Sequence, residues 1–207
     1  VMEVILEDIG RRFNRDWVFQ HLNYRFTTGA RYAVLGPNGS GKSTLLQVVS
    51  SALMPSAGRI EYRDQGQIIA PDDIYQYLSI AAPYLELIEE FTLSEQIRFH
   101  FAHKRFLGGF DEKLLIERLG LTHAQDKQIR YFSSGMKQRV KLGLACYADV
   151  PIVLLDEPTS NLDEEGVDWY LQLVAGTSAN RLFLVCSNQA REYGFCEHTI
   201  KITDYKL

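Results

Sequence analysis

The run Gly36-Pro37-Asn38-Gly39-Ser40-Gly41-Lys42-Ser43-Thr44 places glycines, a lysine and a hydroxyl at the spacing G-x-x-x-x-G-K-[ST]. That pattern grips a nucleoside triphosphate. Glycines let the backbone curl so that successive N–H groups face phosphate oxygens, and a helix opening near Lys42 adds the positive end of its dipole. Lys42 is then expected to reach the β- and γ-phosphates, with the Ser43 hydroxyl on Mg²⁺. Farther along, the apolar run Ile152-Val153-Leu154-Leu155 ends on Asp156-Glu157. Asp156 is suited to hold Mg²⁺ through water, and Glu157 to polarise an attacking water.

These side chains need a frame that delivers them to one crevice. The apolar run Tyr32-Ala33-Val34-Leu35 before the loop reads as a strand, and 152–155 before the acids is too short for a helix and reads as a strand buried on both faces. In an open parallel sheet, ligands bind outside the carboxyl ends of the strands, so Leu35 and Leu155 hand their following residues to the same edge. Residues 1–33 alternate apolar and polar side chains and predict antiparallel strands, as do 58–69. From Thr92 the pattern turns helical. Thr92-Leu93-Ser94-Glu95 has capping-box spacing, Leu93, Ile97 and Phe101 recur every four residues, and a further helix over 111–119 stops at Gly120. Residues 91–147 thus read as a helical insertion between core strands of an α/β fold.

Phe132-Ser133-Ser134-Gly135-Met136-Lys137-Gln138-Arg139 runs into a helical pattern, and Pro158-Thr159-Ser160-Asn161-Leu162-Asp163 follows the acids. In that order the four motifs resemble the ATP-binding cassette (ABC) ATPases over nearly the whole chain. Ser133 to Gly135 match the family's LSGGQ-type signature, with Ser134 and Met136 replacing the second glycine and the glutamine, and Ser160 to Asp163 match its D-loop. The resemblance implies one ABC ATPase domain over 1–207: a P-loop NTPase core, an antiparallel β subdomain and a helical subdomain at about 85–147. It also implies a head-to-tail homodimer. ATP and Mg²⁺ held at Lys42 of one subunit would be covered by Ser133, Ser134 and Gly135 of the other, with Asp163 nearby. A helix N-terminus carrying a hydroxyl is an anion site, and a two-fold pair completes two such sites at once.

The sequence departs from the family at two places. The family's glutamine at the entry to the helical insertion falls on Pro83-Tyr84, and Gln76 lies too early. Its switch histidine falls on Asn188, and His21, His100, His103, His123 and His198 do not fit that place. Asparagine can donate to a γ-phosphate oxygen but carries no positive charge. Outright loss of one transition-state donor costs roughly 2.7 to 4 kcal/mol, so hydrolysis is expected to be slow, while Glu157 argues against its absence. Phe13 stands where the family places an aromatic ring on adenine, with Trp17 as its competitor; stacking there is worth roughly 1 to 3 kcal/mol.

Composition fits one globular unit. The chain has 207 residues, 46% apolar, and its 22 basic against 26 acidic residues leave a net charge of −4, which does not point to nucleic acid. Its three cysteines, Cys146, Cys186 and Cys196, lack C-x-x-C spacing and read as buried thiols of a reducing compartment. No stretch approaches the ~20 apolar residues of a membrane helix. The leading expectation is the ATPase of a transporter, working from the cytosol at the inner face of the cell membrane on a separate transmembrane permease subunit. Leu85-Glu86-Leu87-Ile88-Glu89-Glu90-Phe91 is the expected docking segment. The chain's end at Leu207 and its Ser-Ser-Gly-Met-Lys-Gln signature tilt the reading toward export. The alternatives are a nucleotide-gated binding module with weak or no turnover, and a DNA- or ribosome-associated ABC ATPase. The latter is disfavoured by the short span from Lys42 to Phe132 and the single cassette.

Overall fold

In the computed structural model, which describes residues 1–206, the amino-terminal alternation resolves into a hairpin. Strands β1 (Met2–Phe13) and β2 (Asp16–Thr27) turn at Asn14, whose φ of 55° suits an asparagine. Next come β3 (Arg31–Leu35) and α1 (Lys42–Val49), with the glycine-rich loop between them. A second hairpin, β4 (Ala57–Asp64) and β5 (Gln67–Ile69), adds to the free edge of β1, giving an antiparallel sheet in the order β2-β1-β4-β5.

After β6 (Leu78–Ala81) the chain leaves the sheets through α2 (Leu93–Phe101), α3 (Glu112–Leu119) and α4 (Ser134–Cys146). It returns in β7 (Ile152–Asp156), α5 (Glu164–Thr177), β8 (Leu182–Ser187), the short α6 (Ala190–Tyr193) and β9 (His198–Lys201). The second sheet has the order β6-β7-β8-β3-β9, and its pairings are all parallel. The fold is α/β, with an antiparallel sheet, a parallel sheet and helices, as the sequence predicts.

Two hydrophobic cores flank the parallel sheet, and the two-residue period of a strand divides its side chains between them. Val34, Leu154, Leu184 and Cys186 face α1 and the antiparallel sheet, whereas Val153, Leu155, Phe183 and Val185 face α2 to α5. Burial on both faces explains why β7 and β8 read as unbroken apolar runs.

The helices start where their caps place them. Thr92 Oγ1 accepts from the Glu95 amide at 3.2 Å while Glu95 accepts from the Thr92 amide at 2.8 Å, the reciprocal box its spacing predicts. Asp111 caps α3, and Gly120, at φ 71°, ends it. Cys146 and Cys186 are buried free thiols, but Cys196 is only partly buried, a correction to the expectation for all three.

Candidate active site

Strand register assembles the site. Leu35 lies opposite Ser187, Asp156 opposite Cys186, and Ala81 opposite Leu155, so the residues after β3, β6, β7 and β8 leave the sheet along one edge. The phosphate loop, Glu157, Asn188 and the turn containing Tyr84 therefore start from neighbouring strand ends.

Gly41 stands immediately before α1 with φ 106°, and a Cβ on it would lie 2.4 Å from Val18 Cγ1, so β2 backs the loop closely enough to require glycine. The Lys42 ammonium is buried and donates to the carbonyls of Gly36 at 2.8 Å and Pro37 at 3.1 Å. No acid occupies the first turn of α1, which leaves its positive end uncompensated. Ser40 is buried and its hydroxyl has no partner among the described residues.

Asp156 is 1% exposed and its Oδ1 makes no hydrogen bond among the described residues. Burial pushes its carboxyl above the ordinary range; the neighbouring Ser43 hydroxyl opposes that, the charge of Glu157 adds to it and that of Lys42 reduces it. A carboxylate in this state calls for a cation or bound water, and Ser43 beside it supplies a second oxygen. Glu157 is half-buried at φ 44°, a conformation that costs a residue with a Cβ roughly 1 to 3 kcal/mol. Its amide donates to the Cys186 carbonyl at 2.9 Å, which fixes the turn against β8.

Asn188 is exposed, and its Nδ2 donates to Asn38 Oδ1 in the phosphate loop at 2.9 Å. Ala82, Pro83, Tyr84 and Leu85 form a turn closed by the Leu85 amide on the Ala82 carbonyl at 3.2 Å. Tyr84 is 41% exposed with its hydroxyl beside Asp156 and Gln47, and partial desolvation, reinforced by the Asp156 charge, raises its pKa to about 12. Gln76 ends a 3₁₀ turn before β6, at the opposite end of that strand.

The remaining predicted residues lie elsewhere. Ser133, Ser134 and Gly135 open α4 and share a shallow hollow of about 330 Å³ with Asn161, Leu162 and Asp163. The Ser133 hydroxyl accepts from the Met136 amide at 3.2 Å, and Asp163 caps α5 by accepting from the Gly166 amide at 2.8 Å. No hydrogen bond joins this hollow to the phosphate loop among the described residues. Phe13 ends β1, 48% exposed, with the Arg11 guanidinium 4.7 Å from its ring centre. Trp17 instead packs on Gly10 beneath Arg12.

Sequence reading missed Glu192. This fully buried carboxylate accepts from the Thr159 amide at 2.9 Å and from the hydroxyls of Thr159 and Ser187. Nothing in the local pattern marks it, since a glutamate in a short polar helix reads as solvent-facing.

A family model described as ABC transporter matches residues 19–160. The cytochrome c biogenesis ATP-binding export protein CcmA of Agrobacterium fabrum is 32% identical, covering 84% of this chain and 82% of its own length. The lipoprotein-releasing system ATP-binding protein LolD 2 of Rhodospirillum rubrum is 30% identical, covering 92% and 87%. Among solved structures, the dimeric ABC transporter cassette MJ0796 superposes with a TM-score of 0.77 at 20% identity, over 96% of this chain and 94% of that one. The same cassette has a dimeric post-hydrolysis structure bound to ADP and Pi.

Proposed function

This chain belongs to the ABC transporter family as an ATP-binding cassette, and from that premise we propose that it hydrolyses ATP as a head-to-tail homodimer to drive a separate membrane-spanning permease. The observation that carries the proposal is the division of the site into two half-sites. One edge of the parallel sheet gathers the loop at 36–44, Asp156, Glu157 and Asn188, while the signature hollow opens separately, with no direct hydrogen bond to the loop among the described residues.

On this reading the loop amides and Lys42 bind the phosphates, and Lys42 exchanges its two carbonyl partners for phosphate oxygens. Ser43 and Asp156 would hold Mg²⁺, which would neutralise phosphate charge when bound. Glu157 orients and polarises the attacking water, and Asn188 donates to a γ-phosphate oxygen. Ser133, Ser134 and Gly135 of the second subunit close the site, with Asp163 holding the start of α5 beside them. Phe13, the freer of the two candidate rings, is the adenine platform.

Leu85, Glu86 and Leu87 line a groove of about 400 Å³ with Leu78 of β6 and the half-buried His100, whose ring partial burial holds near a pKa of about 4. We assign it to a helix of the permease, which places the cassette at the cytoplasmic face of the membrane. No helix among the described residues is long and apolar enough to cross a membrane. The rest of the expected docking segment is not free. Glu89 pairs with Lys137 of α4 at 2.6 Å, and the carbonyls of Glu89, Glu90 and Phe91 are bonded to residues 128–130. Charge reversal at Glu89 would therefore disturb the isolated cassette, and Glu86 is the clean probe. Export is the direction we favour, supported by the CcmA relative, which is named an export protein.

Solution scattering with Mg·ATP on Glu157→Gln tests the core of the proposal. A dimer that dissociates when ATP is replaced by ADP is the expected result; monomers at every nucleotide concentration would sink it. The second reading, a nucleotide-gated module, draws on Asn188 and Tyr84 at the two departures from the family. Equal single-turnover rates for wild type and Glu157→Gln would favour it.

A further inference from the structure

We propose that Glu192 is a positioning residue for hydrolysis, a buried carboxylate that ties the turn carrying Glu157 to the strand end carrying Asn188. The proposal rests on the roles given above to those two residues.

Glu192 is 0% exposed, and among the described residues it forms no ion pair. A carboxylate taken out of water without a cation is costly unless donors satisfy it. Here three do. One oxygen accepts from both the amide and the hydroxyl of Thr159, the amide at 2.9 Å, and the other accepts from the Ser187 hydroxyl. Thr159 lies two residues after Glu157, and Ser187 directly precedes Asn188.

The backbone of Glu192 is held from two further directions. The Tyr170 hydroxyl of α5 donates to the Glu192 carbonyl at 2.9 Å, and the Glu192 amide donates to the Gln189 carbonyl at 2.9 Å. On the far side, the buried Gln138 of α4 donates to the Pro158 carbonyl at 2.8 Å. A continuous set of bonds thus runs from the signature helix through Pro158 and Thr159 to Glu192, Ser187, Asn188 and Asn38 of the phosphate loop. The Glu157 amide on the Cys186 carbonyl holds the first residue of the turn against β8, and Glu192 adds a second anchor at Thr159, joined to the residue that precedes Asn188. The water-orienting carboxylate and the γ-phosphate donor need a defined separation, and an error of about 1 Å can cost on the order of 10²-fold in rate.

The test uses the full chain, with single-turnover hydrolysis at saturating Mg·ATP, affinity for a fluorescent ATP analogue, and thermal stability measured side by side. Glu192→Ala is expected to slow the chemical step about 10- to 100-fold and to change nucleotide affinity by less than about threefold. Glu192→Gln should recover most of the rate, because an amide can still accept from Thr159 and can donate to Ser187 Oγ. Thr159→Val preserves shape and decides the matter if Glu192→Ala folds poorly. It should slow the step alone and add little in combination with Glu192→Ala. Rates within twofold of wild type for Thr159→Val, or losses in rate and affinity that simply track melting temperature, would overturn the tether. A wild-type rate indifferent to Glu157→Gln would overturn the hydrolysis reading, and the tether with it.

Discussion

Asn188 Nδ2 and Asn38 Oδ1 form a 2.9 Å hydrogen bond that closes the end of β8 onto the phosphate loop. In the free chain the amide of Asn188 is therefore already aimed at the loop that is to hold the phosphates. The same donor can transfer to a γ-phosphate oxygen, but it brings no positive charge. Asn188→Ala should slow single-turnover hydrolysis by about 10²- to 10³-fold, the usual loss for one transition-state donor. Asn188→His should exceed the wild-type rate. An alanine variant as fast as wild type would remove Asn188 from the reaction.

Tyr84 stands three residues past the end of β6 with its hydroxyl beside Asp156 and Gln47. Held near a pKa of about 12, that hydroxyl stays protonated throughout the working range and is a standing donor into the site. Tyr84→Phe keeps the ring and removes the donor. We expect it to lower the single-turnover rate about tenfold and Tyr84→Gln to restore it, since a single hydrogen bond of this kind is worth roughly 1.5 kcal/mol. The pH–rate profiles of wild type and Tyr84→Phe should run parallel from pH 6 to 10; a new inflection in that window would show that a different group is being perturbed.

The fold and the first half-site were legible because their signals are local. Lys42 sits six residues from Gly36 on one turn of chain, Thr92 reaches only as far as Glu95, and the apolar runs of β7 and β8 report burial on both faces directly. Glu192 and Tyr84 were not legible. Their partners lie 33 residues away at Thr159 and on α1 at Gln47, and only the parallel register brings those segments together. The Glu89–Lys137 pair was hidden for the same reason, since its two members lie 48 residues apart in the chain.

Arg31 and Glu197 clamp the starts of β3 and β9. The Arg31 amide and Nε each donate to the Glu197 carboxylate at 2.9 Å, and these bonds hold its pKa at about 2, below the ordinary 4.5. With the folded value depressed, the contribution to stability is complete above about pH 4.5 and is lost as pH falls toward 2. The pair is more than a third exposed, so solvent screening limits it to about 1 kcal/mol or less. Urea unfolding of wild type and Glu197→Gln should differ by that amount at pH 6 and converge toward pH 2. A difference that grows on acidification would contradict the assignment.

Ser133 and Thr92 are both helix caps, but only one is proposed to do more. Each side chain accepts from the amide three residues on, at 3.2 Å in both cases. Removing either hydroxyl should cost roughly 0.5 to 2 kcal/mol of stability. Ser133 opens the exposed signature hollow, where its hydroxyl and the free amides of α4 can take a partner subunit's γ-phosphate, whereas Thr92 is committed to its reciprocal box with Glu95. Ser133→Ala should therefore weaken ATP-dependent dimerisation of the Glu157→Gln protein by more than about tenfold, a loss on the order of one charge-assisted hydrogen bond per site. Thr92→Ala, similarly destabilised, should dimerise as before. Sedimentation velocity across a protein dilution series with Mg·ATP reads both constants, and equal weakening in the two variants would show that Ser133 only caps its helix.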